Sequence, residues 1–304
     1  MKIKDVHKWK MPYQYKIKGL NWVLNRFVKF TENRLIRQSG IAGAVRPNAN
    51  CPPVIVSLTT YPARSQKVQW TIKSLLNQSV LFDRLIIWLA EDQYPEQKIP
   101  SELEQFLSYN VEIRFCEDLR SHKKYYYTMK ENPDAIVITV DDDVIYPEDT
   151  VEKLLSMHRT FPDAVICNQG RWIGLEHDNF TSYEKWTVSL PQNINKPDYR
   201  ILPIGEGGVL YPPGCLDEEV YNRDNIRSMA FSADDLWLKF MAVKNKRKAM
   251  VSTKVQRAPS EVVAENSEDL GLNAQNLYQG RNNQVISDLN DHYAEVLKRI
   301  IREE

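Results

Sequence analysis

Three consecutive carboxylates, Asp141, Asp142 and Asp143, follow the apolar run Ile136-Val-Ile-Thr-Val140. Side by side without a counter-charge they repel one another, and a bound cation relieves that repulsion. Oxygen-only ligands suit Mg2+ or Mn2+, ions that usually bridge protein carboxylates to substrate phosphates. The plainer alternative is a solvated acidic turn before a helix. A second acidic pair, Asp234-Asp235, opens a helical pattern in Ser232-Ala-Asp-Asp-Leu-Trp237. Ser232-x-x-Asp235 is also a capping-box pattern, so Asp235 could do no more than cap that helix. A carboxylate at a helix start is expected to have a low pKa. Lys123 and Lys124 precede the strand of the acidic run, near an anionic ligand or simply on an exposed helix face.

The elements that must position these groups alternate. Val54-Ile-Val-Ser-Leu58, Leu85-Ile-Ile-Trp-Leu89, Val111-Glu-Ile-Arg-Phe115 and Ala135-Ile-Val-Ile-Thr-Val140 read as strands. A helix is predicted from about Ser65, then a Lys/Tyr-rich one, then one opened by Pro147 at its first position. This is an α/β pattern: a mainly parallel sheet flanked by helices, binding ligands beyond the strands' carboxyl ends. From about residue 165 the pattern loosens into aromatic, Pro- and Gly-containing stretches. Helical spacing resumes near Ala233 and from about Asn282 to the end.

The chain has 304 residues, 42% hydrophobic and 26% charged, which excludes a disordered or collagen-like protein. No apolar run reaches the ~20 residues of a membrane span, and no secretory signal is read at the start. Cys51, Cys116, Cys167 and Cys215 are scattered and read as buried reduced thiols of a cytosolic protein. Charge is balanced overall, but residues 1–50 carry eleven Lys/Arg against Asp5 and Glu32. Ile17, Leu20, Val23, Leu24, Phe27, Val28 and Leu35 there follow helical spacing, widened by Trp22 and Phe30. Such an arm packs on the body or lies on anionic lipid. Nucleic acid is not expected as a partner, since the rest of the chain is acidic and carries no such motif.

From about Val54 to about Asn283 the chain resembles the GT-A-fold, metal-dependent glycosyltransferases, particularly the bacterial capsule and surface-polysaccharide enzymes. The resemblance rests on ordered pieces. They are Ser57-Leu-Thr-Thr-Tyr-Pro-Ala-Arg64, Glu117-Asp-Leu-Arg-Ser-His-Lys-Lys124, Asp141-Asp-Asp143 in the place of the DXD motif, Gly205-Glu-Gly-Gly-Val-Leu-Tyr-Pro-Pro213, and Ser232-Ala-Asp-Asp-Leu-Trp237. It implies a GT-A (Rossmann-like) domain over residues 51–304, following a basic arm and linker over 1–50 and ending in a helical tail. Residues 51–165 would be the nucleotide-sugar half and 166–304 the acceptor half. Asp141 and Asp143 would hold Mn2+ or Mg2+, and Asp141 and Asp142 would face the donor. Thr60, Tyr61 and Arg64 would cup the nucleotide base, with Asp92 accepting from base or ribose and Lys124 near the diphosphate. Asp235, seconded by Asp234, would be the base of a transfer for which inversion is favoured over retention. Gly207, Gly208 and Trp172 would meet the acceptor, a glycan or a lipid-linked sugar. For Tyr61, Arg64, Asp92, the glycines and Trp172, a turn, a loop charge or plain packing is the alternative.

The implied activity is sugar transfer from a nucleotide-diphosphate sugar, read as a UDP-sugar, with residues 1–40 holding the enzyme to the inner membrane face. The relatives' C-terminal histidine ligand has no clear match, since His292 falls inside a helical tail. The competing readings are a haloacid-dehalogenase-like phosphatase and a non-catalytic sugar-binding protein. Against the phosphatase, Ile145 stands where Thr or Val is usual, and Asp234-Asp235 opens a helix instead of closing a strand.

Overall fold

The computed structural model describes residues 1–12, 20–43, 52–191, 193–263 and 280–302. Helices Ile3–His7 (α1) and Leu20–Gln38 (α2) come first. Strands Val54–Thr59 (β1), Arg84–Ala90 (β2), Val111–Cys116 (β3) and Ile136–Thr139 (β4) then alternate with helices Ser65–Leu75 (α3), Ser101–Glu104 (α4) and Lys123–Glu131 (α5). Val144–Ile145 (β5) and Thr150–Thr160 (α6) lead to Val165–Cys167 (β6) and Gly170–Trp172 (β7). The hairpin Leu175–Glu176 (β8) and Asn179–Phe180 (β9) precedes Ile201–Pro203 (β10) and Val209–Tyr211 (β11). Arg223–Asn225 (α7), Asp234–Lys244 (α8), Ala249–Val251 (β12) and Ser260–Glu261 (β13) follow, and Arg281–His292 (α9) and Ala294–Arg302 (α10) close the described chain.

Seven strands form one sheet in the order β12-β6-β11-β4-β1-β2-β3. All neighbours are parallel except β11, which runs against both β4 and β6. Both faces are covered, so the strands are near-continuous apolar runs. Alternation along β1 sends Val54, Val56 and Leu58 toward α3 and α6, and Ile55 toward α5 and α8. Ser57 faces α5 too, where its hydroxyl pairs with Thr128 at 2.7 Å and Trp88 Nε1 donates to the same Thr128 oxygen.

Two expectations change in detail. The helix after Pro147 begins only at Thr150; the carbonyls of Pro147 and Glu148 accept from Gln78 Nε2 at 2.9 Å and Ser79 N–H at 2.7 Å. Glu148 accepts from the N–H groups of Ile3 and Lys4, and Asp149 pairs with Lys153. The predicted stripe of the arm splits: Val28 is buried and Leu24 and Leu35 are half-buried, whereas Val23 and Phe27 face outward with Trp22 and Phe30; Ile36, outside that stripe, is buried as well. Ile17 and Cys51 lie outside the described residues, while Cys116, Cys167 and Cys215 are buried free thiols. Among the described residues no helix is long and apolar enough to cross a membrane.

Candidate active site

Parallel pairing brings the carboxyl ends of β1, β2, β3 and β4 to one edge. The segments that follow them carry Thr60, Tyr61 and Arg64, then Glu91 and Asp92, then Asp118, then Asp141–Asp143. Because β11 is antiparallel, the Gly205–Gly208 turn that enters it lies at this same edge, with Val209 opposite Thr139. The acidic turn is held from several sides. Thr71 Oγ1 on α3 donates to the carbonyls of Asp142 (3.0 Å) and Val144 (2.8 Å). The Tyr146 hydroxyl accepts from Asp141 N–H at 2.9 Å and donates to Glu206 O at 3.1 Å, tying the turn to the glycine segment.

The three acids have different surroundings. Asp142, expected to face the donor, is buried: Thr60 Oγ1 donates to one oxygen at 2.6 Å and Arg64 to the other at 2.7 Å. Thr60 and Arg64 thereby brace the turn. Burial pulls the Arg64 guanidinium down, but Asp142 and Asp143 outweigh it and hold its pKa above the ordinary value. Asp141 and Asp143 stay partly open, with side chains 32% and 28% exposed. Asp143 is pushed up to about 7 by burial, against the pull of Arg64, and by its acidic neighbours. Glu206, which no motif reading singled out, is likewise pushed up to about 7 by burial and then by Asp141 and Asp143. Asp141, Asp143 and Glu206 thus crowd one another at the turn, with Arg64 paired to Asp142 and Asp143.

Lys124, buried on α5, joins this turn to the second acidic pair. Its Nζ is 2.6 Å from Asp141 Oδ1 and 3.0 Å from Asp234 Oδ2. Burial lowers its pKa less than Asp141, Asp234 and Asp235 raise it, so it stays charged. Asp234 is held below the usual range: burial raises it, but Lys124 and His122 prevail. Asp235 goes the other way, to about 8, through burial and then the charge of Asp234. The expected low value fails because the carboxylate is buried behind a second acid, which outweighs the helix start. The cap reading fails as well: the N-cap residue is Ala233 with no side-chain cap bond, and both Asp235 oxygens accept from Gly205 N–H at 3.1 and 3.0 Å. Gly205 is the glycine this arrangement needs, since a Cβ there would lie 2.9 Å from Asp235 Oδ1 and 3.2 Å from Lys124 Nζ. It stood inside the glycine-rich motif but was not singled out.

The remaining expected residues have local partners. A Cβ on Gly207 would strike Gln169, and Gly208 sits at φ +85°, so packing and backbone conformation already require both glycines. Trp172 on β7 is half-buried under the Arg200 guanidinium, 4.6 Å from its ring centroid. Two further aromatics of this half, Trp186 and Tyr211, are core residues. Asp92 is exposed beyond β2, and Tyr61 lies 5.4 Å beneath Arg64. Lys123 pairs with Asp118, away from the acidic turn. His292 is exposed at the end of α9.

With this geometry in view, the mannosyltransferase PcManGT from Pyrobaculum calidifontis, solved with GDP-Man and Mn2+, is similar to the chain. The TM-score is 0.50 at 12% identity, over 99% of this chain and 80% of that one. The fold is GT-A-like. S. aureus TarS 1–349 is matched at a TM-score of 0.41 and 15% identity, over 68% of this chain and 58% of that one. Its complex with UDP is matched at 0.45 and 11%, over 82% and 70%. No family model matches the chain, and no curated protein does. On the GT-A sheet, Asp141 and Asp143 are two partly open carboxylates of one turn, oxygen donors of the type a divalent ion takes. No group of three or more His, Cys, Asp or Glu able to hold a metal occurs among the described residues. Two protein oxygens suit an ion that keeps its other positions for water and phosphate.

Proposed function

We propose that this protein is a metal-assisted glycosyltransferase. It moves a sugar from a nucleotide-diphosphate sugar, read as a UDP-sugar, to a glycan or lipid-linked acceptor in surface-polysaccharide synthesis at the inner membrane face. The observation that carries the reading is the single cluster in which Lys124 joins Asp141 to the Asp234-Asp235 pair at the carboxyl edge of the sheet. Against a haloacid-dehalogenase-like phosphatase stands the acidic pair, which opens α8 instead of closing a strand.

Asp141 and Asp143 would hold Mn2+ or Mg2+, which when bound offsets diphosphate charge and stabilises the leaving group. Lys124 adds a fixed positive charge beside Asp141, where the departing diphosphate collects its electrons. Asp235 accepts the acceptor's hydroxyl proton while that oxygen bonds to the anomeric carbon and the sugar–phosphate bond breaks. In its ionised form a carboxyl pushed up to about 8 is a stronger base than an ordinary aspartate, and Gly205 N–H holds it in place. In-line attack of this kind inverts the anomeric carbon.

The test is a thermal shift with UDP, with and without Mn2+, beside turnover of a panel of nucleotide sugars. UDP should stabilise the protein only when Mn2+ is present. Asp143→Ala should abolish that shift and all turnover, with the circular dichroism spectrum unchanged. Full activity in EDTA would sink the assignment.

A further inference from the structure

Helix α2 has two apolar sides, and among the described residues only one has a partner. Its inner side is bonded to the body: Val28 and Ile36 are buried, Lys29 pairs with Glu261, and Asn33 bonds the backbone of Glu261 and Val263. Its outer side presents Trp22, Val23, Arg26, Phe27, Phe30 and Arg34, every one exposed and all on one face by helical spacing. Trp22 is 64% and Phe30 67% exposed, and Arg26 lies over the Trp22 ring at 5.2 Å. No acid interrupts this face. The helix's one carboxylate, Glu32, is buried and bonded to His7 at 3.0 Å.

We infer that this outer face of α2 is the docking surface for an anionic lipid bilayer. Large aromatic rings mixed with arginines match an interface that offers acyl chains below and phosphates above. A second copy of the chain is the poorer occupant, because pairing this face with itself would oppose arginines with no acid between them. Docking here also has a direction. The inner side of α2 is bonded to β13, β13 pairs with β5, and Val262 N–H donates to Asp143 O at 2.7 Å. The acidic turn thus lies two elements from the bilayer, where a lipid-linked acceptor would be met if the proposed function holds.

The experiment sediments the full chain with phosphatidylglycerol/phosphatidylcholine vesicles and with pure phosphatidylcholine vesicles. Wild type should bind the anionic vesicles. Two variants, Trp22→Ala/Phe27→Ala/Phe30→Ala and Arg26→Glu/Arg34→Glu, should each weaken that binding at least tenfold. Because these side chains are exposed on the side of α2 opposite its bonds to β13, metal-dependent donor hydrolysis should be unchanged in both. Vesicle binding is read without any transfer assay, so a failed transferase reading leaves it intact, and the converse also holds. Absent binding by wild type, or binding that survives both variants, overturns the inference. So does a wild-type dimer that both variants convert to monomer without vesicle binding, which would assign the face to self-association.

Discussion

Asp235 is where local and tertiary forces differ most. At a helix start its charge is favoured; burial beside Asp234 reverses that, and the carboxyl rises to about 8. Because Asp235 bonds Gly205 instead of its own helix end, replacing it tests chemistry more than stability. Asp235→Asn keeps the shape, and turnover should fall roughly 10²–10⁴-fold, the usual contribution of a general base. UDP binding with Mn2+ should change little. A variant with near-normal turnover, or a product that retains the anomeric configuration, would leave Asp235 as an acceptor-positioning residue.

Among the elements, the pairing of α2 with β13 matters most for the site. Beside the small apolar cluster of Ile36, Ile145 and Val262, single side-chain bonds tie the helix to the strand. Asn33 is buried and uses both ends of its amide, donating to Glu261 O at 3.0 Å and accepting from Val263 N–H at 2.8 Å. Asn33→Ala would leave those two backbone groups unpaired and should destabilise the protein by about 1–3 kcal/mol in urea titration. Since Val262 is bonded to Asp143, metal-dependent UDP affinity should weaken in the same variant. A loss of stability with unchanged affinity would show that β13 does not support the turn.

At the scale of the molecule, the least expected group is Lys239, buried in α8 with no hydrogen-bond partner for its Nζ among the described residues. Burial lowers its pKa from 10.5 to about 7. Between those values the unfolded chain holds a proton that the folded chain lacks, so stability rises with pH across that window. Below about pH 7 both states are protonated and the full cost of the buried charge is felt. Lys239→Met should therefore stabilise the protein most below pH 7, with the gain fading toward pH 10.5. Urea midpoints of both proteins at pH 6, 8 and 10 check this, and a gain independent of pH would contradict it.

Much of the fold was legible because it is written in local pattern. Apolar runs such as Val54–Leu58 and Ala135–Val140 read as buried strands, and their alternation with amphipathic helices implies mainly parallel pairing. The acidic run at the end of β4 and the pair opening α8 were legible for the same reason, as charges placed where an apolar run stops. What the sequence could not decide were contacts between distant segments. Whether Asp142 faces a ligand or the interior depends on Thr60 and Arg64, some eighty residues away. The junction through Lys124, the need for a glycine at 205 and the inward turn of Val28 beside the outward turn of Phe27 depend likewise on which surfaces meet. Periodicity marks an apolar side of a helix but not what covers it, and a pKa follows from burial and neighbouring charge. Those are properties of packing, and only the tertiary structure supplies them.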